Sequence, residues 1–545
     1  MKSISRLFTL FAIISMLSFF TISETTAAEP EWIYTVRTGD TLIDLTNRYL
    51  EPSASWEKLQ QLNKVPDPKH LQPNSKLRIP VAWLKRESAF AEVVRVQGEA
   101  QKLSDTGQGT ARIEPGMQLR VGDTIMTNTG STLTLRFVDG SRLLVAENSK
   151  VTLSTLLVYG KTGMADTKLK LHEGGVETQV SPQKGSAAKY EIKAPTLNLG
   201  VRGTDFRVRV DGSGATRSEV LEGRVAAAGE RHQVLVNAGF GTLAKTGEAP
   251  RLPKPLLQAP DLGTMPLLLE RVPLRFQWQA VPGAQNYRAQ IFADRSFDRL
   301  LLDGIFPATT AKWVDLPDGK YVLRVRAIDS DGLEGINTDH DFRLKARPEP
   351  PFINEPVDGG KVYGDKAIFR WAKSSIEQAY RVQVSDAADF SRLLSDERNT
   401  GTNEYTLALL PGQYYWRIAS LMPDGDQGPY SDAQAFTQRK IPASPALEPP
   451  KVDDKALSFR WKAGVNGEKY QFQFARDNEF KNPLLDTVTA ESQISLPRPD
   501  AGNYFMRVKT IDADGFAGPF GQVQVVEIPA SPWWLLIPAA ILLSM

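Results

Sequence analysis

Hydrophobic and polar positions change rhythm twice along the chain. Between residues 31 and 80, Tyr34 and Val36 alternate with polar neighbours, as a short strand requires. Gly39-Asp40 interrupts the alternation. Thr41 with Asp44 three residues on has the form of a capping box, and Leu42, Leu45 and Tyr49 then fall on one helical face. Ser55 is placed to cap a second helix, with Trp56, Leu59 and Leu62 on its inner side and Asn63 suited to its C-terminal turn. Pro73-Asn74 turns the chain into the strand Leu77-Arg78-Ile79, which Pro80 stops. The predicted order is strand, helix, helix, strand.

From residue 89 to 245 the helical rhythm is gone. Leu133, Leu135 and Phe137 alternate, Asp139-Gly140 turns the chain, and Leu143 and Val145 alternate again, which is a hairpin pattern. Further short strands centre on Val151-Leu153, Leu169-Leu171, Tyr190-Ile192, Phe206-Val210 and Val234-Val236, with glycines between them. This predicts an all-β domain. Periodicity leaves a sandwich and a short β-solenoid open.

A third rhythm fills residues 260–528. Trp278, Trp371 and Trp461 recur at intervals of 93 and 90 residues. Each is followed at fixed spacing by a tyrosine (Tyr287, Tyr380, Tyr470) and a phenylalanine (Phe297, Phe390, Phe480). A second tyrosine (Tyr321, Tyr414, Tyr504), an arginine (Arg324, Arg417, Arg507) and an Asp-Gly pair at Asp331, Asp424 and Asp514 come next. Chance does not hold that register three times. The period and the alternation predict three immunoglobulin-like sandwiches at 260–345, 351–440 and 446–528. Their tryptophans should plug the cores and their second tyrosines should bond back to the backbone as tyrosine corners. A platform of exposed rings for carbohydrate is the alternative, and it needs the tryptophans to face solvent.

Composition adds location. Lys2 and Arg6, the apolar stretch Leu7 to Ile22 and the small residues Thr26-Ala27-Ala28 have the form of a cleavable export signal over residues 1–28, with an uncleaved anchor helix as the alternative. The chain has no cysteine, so disulfides and a lipid-modified N-terminus are excluded and each exported domain must fold on its apolar core alone. A formal charge of +2 over 545 residues argues against nucleic acid. Prolines cluster at 250–260, 348–356, 442–450 and 529–532, where they are expected to act as semi-rigid spacers between modules. The apolar tail 533–545 is short of a spanning helix, and a weak membrane contact is expected of it.

The run Tyr34-Thr35-Val36-Arg37-Thr38-Gly39-Asp40-Thr41-Leu42, with the strand–helix–helix–strand order behind it, resembles the LysM fold, which grips N-acetylglucosamine chains of peptidoglycan or chitin. The resemblance implies a shallow groove between two loops, carried here by Thr38, Gly39, Asp40, Thr41 and Leu42 and by Asn63, Val65 and Leu71. Backbone groups would bond the acetamido group, and Leu42 and Leu71 would offer apolar contact. Asn74 departs from the family's usual glycine, and asparagine tolerates the left-handed geometry required. One such groove binds weakly, so a second attachment is expected elsewhere.

Gly122-Asp123-Thr124-Ile125 with Thr127, Phe137-Val138-Asp139-Gly140-Ser141, Ala194-Pro195-Thr196, Gly200 to Phe206 and Glu222-Gly223 resemble, in order and spacing, the FecR domain family. That family is named for a regulator that relays receptor occupancy to a sigma factor. About six residues precede the apolar run here, too few to hold a sigma factor, so the fold is carried over and the output is not. Arg202-Gly203-Thr204-Asp205 reads as structural, with turns at Gly200 and Gly203 and a local pair between Arg202 and Asp205. The three repeats resemble fibronectin type III domains.

No cysteine nucleophile exists, the four histidines His70, His172, His232 and His340 have no zinc spacing, and no Gly-x-Ser-x-Gly elbow or phosphate loop occurs. Every long segment is assigned to a binding-type fold. The expectation is a mainly β, multidomain, non-enzymatic protein of the periplasm or cell envelope, without cofactor or metal. It would hold peptidoglycan through LysM and meet an envelope protein partner through its β domains. An envelope signalling component, and a peptidoglycan hydrolase, are the alternatives.

Overall fold

The computed structural model describes residues 29–103, 109–183, 185, 187–373 and 379–530. The expected export signal and apolar tail lie outside the described residues. The chain divides into two compact units at Lys345–Ala346.

The first unit opens with the βααβ module. Strands Glu31–Thr35 and Lys76–Pro80 pair antiparallel, with Tyr34 opposite Leu77. Helix Leu42–Tyr49 buries Leu42, Leu45 and Tyr49, the face that the spacing predicts. Helix Trp56–Asn63 starts after Ser55 and ends at Asn63 as expected, with a difference in detail at each end. Ser55 sits at the N-cap without a side-chain cap bond, and Lys64, not Asn63, takes the left-handed C-cap at φ 52°. Asn74 does take the left-handed turn, at φ 66°. The small core is completed from outside the module by Tyr159, Met164, Ala187 and Ala188.

Those four residues belong to the all-β domain. Its strands lie in two largely antiparallel sheets facing one core, and they are linked into one barrel-like system by the 15-residue strand Ala165–Gln179. That strand pairs with Lys150–Val158 in one sheet and, past Gly174, with Asp205–Val210 in the other. A Cβ at Gly174 would meet Ser149 Cα at 2.5 Å, so glycine is required where the strand changes sheets. Successive hairpins alternate between the sheets. Asp205–Val210 with Thr216–Glu222 lies in one, and Arg224–Gly229 with His232–Asn237 in the other. Of the two open alternatives, a sandwich and a short β-solenoid, this favours the sandwich, with its two sheets joined at one strand. The predicted hairpin is present, with Leu143 opposite Leu135 and Gly140 at φ 85°.

The three repeats are sandwiches of the expected kind. In the first, a sheet ordered Leu268–Leu269, Thr338–Leu344, Gly319–Ile328, Asn286–Phe292, Leu300–Phe306 faces the pair Leu274–Gln277 and Thr310–Trp313. Trp278, Trp371 and Trp461 are 4 %, 0 % and 3 % exposed, which removes the exposed-ring platform. Each packs edge-on to its tyrosine at 5.5, 5.4 and 5.5 Å. The second tyrosines donate to carbonyls four residues back: Tyr321 to Pro317 (2.6 Å), Tyr414 to Leu410 (2.8 Å) and Tyr504 to Asp500 (3.0 Å). The conserved spacing of arginine and phenylalanine also has a cause. Arg324, Arg417 and Arg507 lie over Phe297, Phe390 and Phe480 at 3.7, 4.1 and 4.1 Å, and all three phenylalanines sit at φ between 56° and 58°.

The first proline cluster is not a spacer. Lys254–Pro255 pairs with Phe240–Ala244, Leu256 is 5 % exposed, and the Leu257 carbonyl accepts from Ile336 N–H at 2.9 Å. The all-β domain and the first repeat are therefore sewn together.

Candidate functional site

The turn after the first strand is built around one carboxylate. Asp40 Oδ2 accepts from Tyr34 Oη–H at 2.6 Å and from Arg37 N–H at 2.7 Å. Burial and this bond push the Tyr34 phenol up to about 12. Gly39 supplies φ +87°, and Thr41 accepts from Asp44 N–H at 3.1 Å, starting the helix. Leu42 N–H donates to the Pro68 carbonyl at 2.9 Å, so the loop after the first strand lies against the loop before the last.

The eight expected contact residues divide by accessibility. Thr38 and Gly39 are exposed, and Asp40, Thr41, Val65 and Leu71 are half-buried. Leu42 is 0 % exposed and points into the core, so its side chain is a packing group and offers no apolar face to a ligand. Asn63 is spent as a clamp. Its Nδ2 donates to the Leu59 and Arg78 carbonyls (3.0 and 2.8 Å) and its Oδ1 accepts from Arg78 N–H at 2.7 Å. The ring at Trp32, unremarked in the sequence reading, stands edge-on to Tyr34 and Tyr49 at 5.3 and 5.0 Å and is half-buried beside this turn. Its signal was the alternation itself, two residues ahead of Tyr34.

In the all-β domain the glycine-rich phrase is structural, with two differences from expectation. Gly200 lies inside the strand Asn198–Val201, not in a turn. Arg202 is exposed and does not pair with Asp205, which accepts from Gln179 Nε2 at 3.4 Å. Gly203 is required, since a Cβ there would meet Pro182 Cα at 2.9 Å. Asp139 holds its hairpin by accepting from Ser141 N–H and Oγ–H, both at 2.9 Å. Each histidine has its own partner, His172 with Thr152 at 2.9 Å and His340 with the Pro266 carbonyl at 3.2 Å among them, and the described residues hold no cluster of metal-ligating type. No helix among them is long and apolar enough to cross a membrane.

A buried polar cluster joins this domain to the first repeat. Glu334 of the repeat, 3 % exposed, is met by Arg209 at 2.6 Å, Arg288 at 3.1 Å, Arg207 at 3.8 Å and Arg326. Arg207 also donates to the Glu334 and Gly335 carbonyls at 2.8 and 2.7 Å, and Arg326 reaches Glu177 at 2.5 Å. Asp303 pairs with Arg288, and Glu219 accepts from Glu334 N–H at 3.1 Å. Four guanidiniums thus face four carboxylates. Burial works to raise the Glu334 and Glu177 carboxyls, but the surrounding arginines hold Glu334 well below its usual range and Glu177 down at about 2. Burial wins at Glu219, which is raised. An apolar patch of Leu144 with Phe292, Leu300 and Val322 closes the seam beside it.

Comparison with known families identifies a LysM domain over residues 34–80 and a FecR protein domain over residues 123–226. Both are binding or signalling modules rather than catalytic ones. No curated protein matches the chain. Among solved structures it is similar to the FN1–FN3 domains of chicken CNTN1 (15 % identity, TM-score 0.24, covering 46 % of this chain and 93 % of that one). It is also similar to fibronectin(III)-like modules of Clostridium thermocellum CbhA (16 %, 0.23, covering 33 % and 93 %). A provisionally assigned anti-sigma factor from Parabacteroides distasonis aligns at 15 % identity and TM-score 0.21, over 24 % of this chain and 59 % of that one. The assignment of the repeats rests on their own topology, tryptophan plugs and tyrosine corners.

Proposed function

We propose that this chain is an exported, non-enzymatic protein of the cell envelope that attaches to peptidoglycan through its LysM module. Its FecR-like domain and fibronectin-like repeats then present surfaces to an envelope protein. The observation that supports this most is the juxtaposed pair of loops at Leu42 and Pro68, within a segment that matches the LysM family along its length. Thr38, Gly39, Asp40, Thr41, Val65 and Leu71 are the contacts, mostly through backbone groups, with Leu42 and Asn63 holding the loops in place.

Co-sedimentation of the full chain with purified sacculi tests the reading. Deleting residues 31–80 is a poor control, because it would strip cover from Tyr159, Met164, Ala187 and Ala188. Gly39→Val is cleaner: φ +87° is closed to a β-branched residue, while a Cβ there meets nothing within 4 Å. Sedimentation should be lost in that variant with the circular dichroism spectrum retained. Equal sedimentation of the two proteins would refute glycan attachment by this turn.

The FecR match favours a second reading, an envelope signalling component in which the FecR-like domain reads a membrane sensor or transporter. A cross-linked membrane partner that depends on residues 89–245 would distinguish it.

A further inference from the structure

The first strand of the LysM module does not face open solvent on both sides. The turn Tyr159 to Met164 of the FecR-like domain is anchored in the LysM core by Tyr159 and Met164, which are 8 % and 1 % exposed. It is locked internally by Tyr159 N–H to the Met164 carbonyl at 3.0 Å and by Thr162 Oγ–H to the Tyr159 carbonyl at 2.6 Å. Between this turn and the first strand lies a cleft of about 500 Å³, within the size range of small-ligand sites (about 300–1,000 Å³). Trp32 supplies an aromatic wall, Thr38 links the cleft to the predicted sugar loop, and Asn74 closes one end. Arg37 and Lys161 line it, both exposed and neither in an ion pair among the described residues. No carboxylate lines the cleft among the described residues, and Asp40 of the adjoining turn is already occupied by Tyr34 and the Arg37 backbone.

An aromatic wall with hydroxyl and amide groups suits a sugar ring. Two uncommitted cations do not suit N-acetylglucosamine, which is neutral. They suit a carboxylate. We infer that the FecR-like domain completes the glycan site, and that Lys161 with Arg37 makes it prefer a glycan whose muramyl residue carries a carboxylate over a neutral chitin-type chain. This rests on the glycan-attachment reading and refines it. The carboxylate has two sources, the free lactyl group of a peptide-stripped strand and the acidic residues of the stem peptide.

Calorimetric titration of the full chain tests this with three ligands: chitotetraose, a peptide-free disaccharide-repeat glycan with free lactyl groups, and the same glycan bearing stem peptides. The wild type should bind at least one carboxylate ligand about three- to fivefold tighter than chitotetraose at low salt, the size of one exposed ion pair, and the preference should shrink as salt rises. Whichever of the two is preferred identifies the source. Lys161→Glu should abolish the preference and leave chitotetraose affinity within about twofold. Equal affinity for all three ligands, or a preference that survives Lys161→Glu, overturns the inference and leaves glycan attachment standing. Absence of binding to every ligand overturns both.

Discussion

At the scale of single residues, one bond governs the turn after the first strand. Tyr34 donates from a buried position to Asp40, and Asp40 fixes Arg37 N–H and so the turn. Removing the hydroxyl in Tyr34→Phe should cost about 1.5–3 kcal/mol, the range for a hydrogen bond to a charged acceptor, measured by urea unfolding. The same bond sets a pH limit. The Tyr34 phenol is raised to about 12 from an ordinary value near 10. A raised acid contributes stability that is fully present below the unfolded value and disappears as pH climbs through the folded one, so wild type should weaken between about pH 10 and 12. Tyr34→Phe should lack that part of the decline. In the third repeat, Arg507 lies between Phe480 and Phe520 at 4.1 and 4.2 Å, and Arg507→Ala should cost about 1–2 kcal/mol in thermal unfolding.

At the scale of elements, the repeats explain one another. Parallel cover strands Leu268–Leu269 and Gly360–Tyr363 lie against the last strands of the first two sandwiches, where Leu267 and Leu269 carbonyls accept from Arg343 and Lys345 N–H at 2.8 Å. In the third sandwich no described strand does this. Only 14 residues separate Leu447 from its partner Trp461, against 18 between Ile353 and Trp371, and the missing stretch is the cover. Among the described residues Gln524–Ile528 is left as an open edge, with Val525 61 % exposed and Pro529, which has no N–H, just beyond it. Amide hydrogen exchange at Val525 and Glu527 should therefore be faster than at Arg343 and Lys345, and equal rates would show that something covers this edge. The repeat register made the tryptophan plugs and tyrosine corners legible in the sequence, because core positions repeat. The seam was not legible, because its residues occupy strand positions that read as solvent-facing. Its signal was departure from the repeat. Arg326, Glu334 and Asn337 stand where the second sandwich has Ala419, Gln427 and Tyr430 and the third has Lys509, Ala517 and Phe520. The aromatic that flanks the repeat arginine elsewhere is replaced by Asn337, which bonds Arg207 and Arg326 instead. In the proposed glycan loop, turn chemistry was legible from Gly39 to Asp44. The inward aim of Leu42 and the clamp at Asn63 were not, because spacing names a face but not what the other loop leaves open.

At the scale of the molecule, the same acidic turn works as a coupling within each unit. Asp329 and Asp331 of the first repeat hold Lys254, at 2.7 Å from Asp329, while Asp512 and Asp514 of the third hold Tyr363 (2.6 Å to Asp512), Lys361 and Arg439, with Phe516 stacked on Tyr363 at 3.7 Å. The FecR-like domain and first repeat gain a second, buried coupling at Glu334. Glu334→Gln removes one charge from a cluster of four arginines, and breaking such a buried network should cost about 3–5 kcal/mol, read by unfolding of the full chain. Acid should loosen the same seam. Glu177 is depressed to about 2, so its contribution is present above its ordinary value near 4.5 and is lost as pH falls toward 2. Glu219 is raised and opposes this, its contribution weakening as pH rises. Protection of the Gly335 amide should fall on acidification, and Glu177→Gln should show a smaller fall.

The most direct measurement is a titration of the full chain with chitotetraose, followed by amide resonances of Thr38, Gly39 and Thr41. Attachment through the LysM loop predicts saturable shifts that include these residues and Asp40, Val65 and Leu71, abolished in Gly39→Val. Resonances that stay in place up to millimolar sugar would contradict it.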